Sequence, residues 1–197
     1  MNYFKIYGLR GLFRLLFNKI NTLLFFRRFR ILRSPYYIRG NRKGIIGGNN
    51  LTTGVGLRID LINYKGSEPK LILGKNVQIN DYVHIGVLDE VSIGDNTLIA
   101  SKVFISDHTH GNYSGPNPTR PDSNPIEREL YSNPVEIGKN VWIGEYVSIL
   151  PGVKIGDGAV IGSMSVVTSD IPANTINIGA PTKILKKFDS DVNLWKS

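Results

Sequence analysis

The chain contains no cysteine. Disulfides, thiolate metal sites and a cysteine nucleophile are therefore excluded, a usage that fits a reducing compartment. Histidine is scarce, with three residues, His84, His108 and His110. No serine stands in the strained strand-to-helix context of a hydrolase nucleophile. Long apolar runs are missing as well. The longest uncharged stretch of the N-terminal arm, Ile20 to Phe26, is far short of the ~20 residues that cross a bilayer. No small-residue cleavage site follows it, as a secretory signal would require. Acidic residues are absent from the first 33 positions, which hold Lys5, Arg10, Arg14, Lys19, Arg27, Arg28, Arg30 and Arg33. The other sixteen Lys and Arg equal the sixteen Asp and Glu, so the net charge of +8 belongs to the arm. It is no argument for nucleic-acid binding by the rest of the chain.

What the chain does have is a repeat of six. From Val135 to Asp170 an aliphatic recurs at Ile137, Ile143, Ile149, Ile155, Ile161 and Val167. Two residues earlier stand Val135, Val141, Val147, Val153, Ala159 and Ser165, small or β-branched. This period is the signature of a parallel β-helix, in which three short strands make one coil and stacked coils share one core. The same pattern starts at Leu71, with core positions at Leu73, Ile79, Ile85, Ile93, Ile99 and Ile105. The step from Ile85 to Ile93 is eight, so two residues bulge out near Leu88-Asp89. Residues 36–62 are predicted to be one or two degenerate coils, with Ile38, Ile45, Leu51, Leu57 and Ile59 inward and Arg58 and Asp60 outward. An ion pair and a polar contact at a site edge are both open for that pair.

The arm, residues 1–34, spaces Leu9, Phe13, Leu16, Phe17, Ile20, Leu23 and Leu24 near helical intervals, with cations between them. Ser34-Pro35 is expected to end this helix. Two readings stand side by side: a helix lying on an anionic membrane surface, or a cap over the open end of the solenoid. Beyond the β-helix, taken as residues 35–178, the segment 179–197 reads as a turn, a basic strand holding Lys183, Lys186 and Lys187, and a short terminal helix or tail. Those lysines could neutralise phosphates.

The repeat breaks between Ile105 and Ile137, in a proline-rich loop (106–134) that opens on Ser106-Asp107-His108-Thr109-His110-Gly111. A long insertion in a strict solenoid is usually functional or disordered. Histidine is the best reactive group available, suited to general-base work near neutral pH. Held on a loop above a rigid wall, it could deprotonate a hydroxyl that then attacks a carbonyl carbon.

These features together, the six-residue coils, the DHTHG loop, Val141-Trp142-Ile143-Gly144 and the closing GAPTK, resemble the hexapeptide acetyltransferases. Within them the chain is similar to the maltose and galactoside branch, and most to the sugar O-acetyltransferases of O-antigen and capsule biosynthesis. The resemblance covers about residues 35–188. It implies an all-β, left-handed parallel β-helix, a homotrimer with sites between subunits, acetyl-CoA as donor and a glycan hydroxyl as acceptor, with no metal. It places the catalytic histidine twelve residues after Leu98, at His110, with His108 shaping the pocket or exchanging roles with it. It puts Asn80 at the acceptor, with Tyr82, Asp107, Arg58 and Asp60 as further substrate candidates. Trp142, Gly144, Glu145, Ser163, Thr168, Lys183 and Lys186 fall where the family holds coenzyme A, lysine replacing the family's arginine at both phosphate positions. That exchange keeps charge and loses bidentate geometry. The arm suits a lipid-linked glycan at the inner face of the cytoplasmic membrane; free sugars, nucleotide-sugar amines and antibiotics are the alternative acceptors. A zinc enzyme of the γ-carbonic anhydrase kind, using the three histidines and the Arg58-x-Asp60 pair, is the competing chemistry.

Overall fold

The computed structural model describes residues 3–197; Met1 and Asn2 of the predicted arm lie outside the described residues. The chain builds the left-handed parallel β-helix expected of it, with three flat faces. The first face stacks Ile45–Gly47, Lys70–Leu73, Glu90–Ile93, Val135–Ile137 and Lys154–Ile155. On the second lie Thr52–Thr53, Gln78–Ile79, Leu98–Ile99, Trp142–Ile143, Val160–Ile161 and Thr175–Ile178. The third carries Tyr36–Arg39, Leu57–Leu61, His84–Val87, Phe104–Ser106, Ser148–Ile149 and Val166–Val167.

Both columns of the repeat point inward. Register aligns Ile59, Ile85, Ile105, Ile149 and Val167 down the third face, and Thr53, Ile79, Ile99, Ile143 and Ile161 down the second. Val135, Val141, Val147, Val153, Ala159 and Ser165 are buried beside them. Each fully buried Ile or Val stabilises by about 1.5–3 kcal/mol relative to exposure. The region expected to be degenerate carries a 3-10 helix at Arg42–Gly44 between its strands, with Leu51, Leu57 and Ile59 in the core and Ile38 and Ile45 packed against it.

One corner is held by a ladder of asparagines. Asn50 donates to Asn76, Asn76 to Asn96 and Asn96 to Asn140, at 2.8, 3.0 and 3.2 Å. All four have φ near +60°, a conformation asparagine tolerates better than most side chains. We expect Asn96→Ala to cost about 1–2 kcal/mol beyond the lost ladder bonds. Asn96→Gly should cost less, since glycine lacks the left-handed penalty. Urea denaturation of the two variants checks this, and equal midpoints would refute the conformational argument.

The N-terminal helix α1 (Tyr3–Phe25) is interrupted at Gly8, where φ is 61°. It stops at Phe25, nine residues before the predicted end at Ser34. Segment 26–33 leaves helical form because the open end of the solenoid takes up Phe29 and Leu32, which join the core. The cap is thus this non-helical segment, tied by backbone bonds from Arg30 and Ile31 to the Leu51 carbonyl. At the other end the predicted helix or tail is a hairpin. Lys183–Asp189 pairs antiparallel with Thr175–Ile178, and Leu194–Lys196 pairs with Lys183–Asp189. Phe188 and Trp195 meet edge to face across it, with ring centroids 5.2 Å apart, which favours strand over helix here.

Candidate active site

The third face carries a polar patch built by register. Tyr37, Arg58, His84, Phe104 and Ser148 form one outward row. Arg39, Asp60, Gly86 and Ser106 form the next. Asp60 faces outward yet is buried beneath its neighbours. Its Oδ2 accepts from Arg58 Nε at 2.7 Å and lies 3.1 Å from His84 Nε2. Arg39 Nε stands 3.6 Å from Oδ1. A carboxylate only accepts, so the neutral His84 ring carries its proton on Nε2 and turns Nδ1 outward as an acceptor. Burial pushes the Asp60 carboxyl up, but the hydrogen bonds from Arg58 and His84 outweigh it and hold it below the usual range. The ion-pair reading of Arg58-x-Asp60 thus describes the pair as it stands in the fold.

Burial also pushes the His84 imidazole below its ordinary value of 6.5; Asp60 opposes this, while the charges of Arg58 and His108 add to it. The stability linked to His84 is therefore full above its unfolded value and is lost as pH falls through the folded one, where the unfolded chain binds the extra proton. Asp60→Asn removes the upward influence. We expect the His84 midpoint, read from imidazole proton shifts, to move further down; an upward move would contradict this account.

The inserted loop begins where Phe104–Ser106 ends. Asp107 is wholly buried, at 0% exposure. Its carboxylate accepts from the backbone N–H of Leu88, at 2.8 Å, and of Asp89, at 2.7 Å. The eight-residue step therefore serves a purpose: the bulge at Leu88-Asp89 turns two N–H groups onto Asp107. The same carboxylate lies 2.9 Å from His108 Nδ1. Ser106 Oγ accepts from His108 N and donates to its carbonyl. His108 Nε2 is left as the outward acceptor, and the ring lies over Gly86, where a Cβ would stand 3.1 Å from its Cε1. Asp107, expected at the substrate, is placed beneath it; its reach runs through His108.

His108–His110 pairs antiparallel with Leu130–Ser132 in a ribbon. Residues two apart on a strand share a side, so His110 follows His108 on the same side. The His110 side chain is exposed and has no hydrogen-bond partner among the described residues. Arg128 ties the rest of the loop together through the Pro121 and Ser123 carbonyls and the Tyr113 hydroxyl. Lys65 and Glu129 pair across to the neighbouring turn, an exposed contact of small energetic weight.

The corner between the second and third faces collects most of the other candidates. Backbone bonds stack Asn80 on Ala100, Gly144 and Gly162, from Asn80 N to the Ile99 carbonyl, Ala100 N to Ile143 and Gly144 N to Ile161. Tyr82, Lys102, Tyr146 and Met164 form the adjoining column, all with positive φ, and Glu145 and Ser163 lie between the two columns. Gly144 is required there, since a Cβ would meet Ser163 N at 2.6 Å. Trp142, half exposed, projects from the second face. Lys183 and Lys186 lie on the antiparallel strand that extends that face. Thr168 is apart from them, beyond Val167 on the far edge of the third face. His84, Arg39, Ser106 and Phe104 complete the patch. Their signal in the sequence was only outward parity, which singles out no residue without the coil register. The ring nitrogens of His84 and His108 that meet carboxylates are engaged with Asp60 and Asp107. Among the described residues no three His, Asp or Glu groups converge as metal ligands.

The repeat and the fold recur in known proteins. Residues 134–169 match the bacterial transferase hexapeptide (six repeats) family. The chain is 47% identical over 193 residues to an Escherichia coli (strain K12) protein named "Putative lipopolysaccharide biosynthesis O-acetyl transferase WbbJ", covering 98% of this chain and 96% of that one. It is 39% identical over 121 residues to galactoside O-acetyltransferase of the same organism, 59% of this chain and 54% of the relative. A solved galactoside acetyltransferase in complex with coenzyme A superimposes with a TM-score of 0.53 at 34% identity, over 71% of this chain and 66% of that chain. With this fold, these motifs and these relatives, the chain belongs to the hexapeptide-repeat acetyltransferase family and is an acyltransferase.

Proposed function

We propose that the protein transfers acetyl from acetyl-CoA to a sugar hydroxyl of a surface polysaccharide, of the O-antigen or capsule kind. The observation that carries this is the two-histidine ribbon raised beside a face lined by Arg39, Arg58, Asp60, His84 and Phe104. Donor and acceptor groups beside an aromatic ring suit a sugar. The lipopolysaccharide assignment of the relative that matches almost the whole chain supports the acceptor class, and the coenzyme A complex of the galactoside enzyme supports the donor. Trp142, Gly144, Glu145 and Ser163 line the donor groove, Lys183 and Lys186 meet its phosphates, and Asn80 and Tyr82 meet the acceptor. The enzyme works as a homotrimer in the cytoplasm, with the groove between neighbouring subunits, on a glycan carried by lipid at the inner membrane face.

In the reaction His110 takes the proton of the acceptor hydroxyl, and the oxygen attacks the thioester carbonyl carbon. A backbone N–H holds the developing oxyanion. The C–S bond breaks, and the imidazolium returns its proton to the leaving thiolate. A second assignment rests on one contact: the bond from His108 to Asp107 is the orientation a general base needs, which would give His108 this role. Acetyl-CoA-dependent thiol release, with glycan NMR of a strain lacking the protein against its complemented strain, tests the function. Unchanged O-acetylation would overturn it.

A further inference from the structure

Helix α1 is amphipathic in the wrong sense for a helix that caps a core. The side it turns to the protein holds Asn18 and Thr22, both buried. Thr22 Oγ1 accepts from Leu32 N, and Asn18 Oδ1 from Ser34 N. Arg14 and Lys19 donate to the carbonyls of Ser34 and Arg30. The helix is thus pinned to the body by polar bonds. Its large apolar residues face away: Leu9, Phe13, Leu16, Phe17, Ile20, Leu23 and Leu24 are 50–66% exposed. Arg10 on the helix and Arg27, Arg28 and Arg30 just beyond its C-terminal end are exposed, with no acidic residue in the first 33. A contiguous apolar face of this size on a folded protein marks an interaction surface.

We propose that the outer face of α1 docks on the surface of a bilayer rich in anionic lipid. An apolar stripe bordered by uncompensated cations matches acyl chains beneath anionic headgroups. A second copy fits less well, since the chain outside the arm balances sixteen basic against sixteen acidic residues and offers no net negative charge to these cations. The helix is not long and apolar enough to span, so it lies in the interface plane. Because its inner side is already satisfied, docking needs no release of α1 and no new structure. This deepens the reading of a lipid-linked acceptor, and its test is separable from that of acetyl transfer.

The full chain is floated with phosphatidylcholine vesicles, with and without phosphatidylglycerol. We expect co-flotation only with phosphatidylglycerol, reversed by high salt. The triple variant Phe13→Gln, Phe17→Gln, Leu24→Gln should lose roughly tenfold or more of its partitioning. It should keep its melting temperature and its stabilisation by coenzyme A, since all three positions are exposed. Equal flotation of the variant, equal binding to neutral vesicles, or no flotation of the wild type would each overturn the proposal. So would a change in oligomeric state of the variant by light scattering without lipid, which would assign the face to a second copy. Flotation without acetyl transfer would instead fault the enzymatic reading alone.

Discussion

Replacing His110 by alanine should leave coenzyme A bound and acetyl transfer lost, by about 10²–10⁴-fold in kcat, the usual worth of a positioned general base. The ring is exposed, so truncation should leave stability within about 0.5 kcal/mol. The loss would then be chemical rather than structural. His108→Ala should fall less far, because its ring shapes the pocket over Gly86. The reverse ranking, with His108→Ala the more damaged, would move the base to His108. Wild-type turnover in both variants would sink the assignment of the site.

Asp107→Ala should damage folding and catalysis together. The Leu88 N–H is buried, and with it the Asp89 N–H loses its acceptor. An unsatisfied buried donor costs about 1–3 kcal/mol, so the urea midpoint should fall measurably. His108 loses the bond that fixes its ring, and the ribbon that carries His110 loses the anchor at its first residue. Activity at a temperature where the variant is still folded should drop. If it stays at the wild-type level, Asp107 is a loop anchor only.

How much of this was readable beforehand depends on the distance over which each signal acts. The inward columns at Ile137, Ile143 and Ile149 follow from side-chain parity, a local property, and they fixed the fold. The Leu88-Asp89 bulge was visible as a two-residue surplus, but its purpose was not, because its partner Asp107 lies on the next coil. His84 joins Arg58 and Asp60 only once coil length sets the register across the third face. Helical spacing located α1 but could not say which side would be buried. The answer came from Asn18 and Thr22, whose partners Ser34 and Leu32 sit on the returning chain. The early stop at Phe25 has the same origin, since an empty solenoid end attracts Phe29 and Leu32 more strongly than helical propensity holds them.

The C-terminal hairpin bears on colloidal behaviour. A stack of parallel strands ends in unpaired N–H and C=O groups, a template on which another molecule could continue the same ladder and seed a fibril. Here the second face is closed by a strand running the opposite way, carrying Lys183, Lys186 and Lys187, with the short Leu194–Lys196 outside it. An incoming coil meets reversed polarity and positive charge instead of a free parallel edge. The hairpin therefore acts as a chain terminator, keeping a fold made by repetition from repeating beyond its own length.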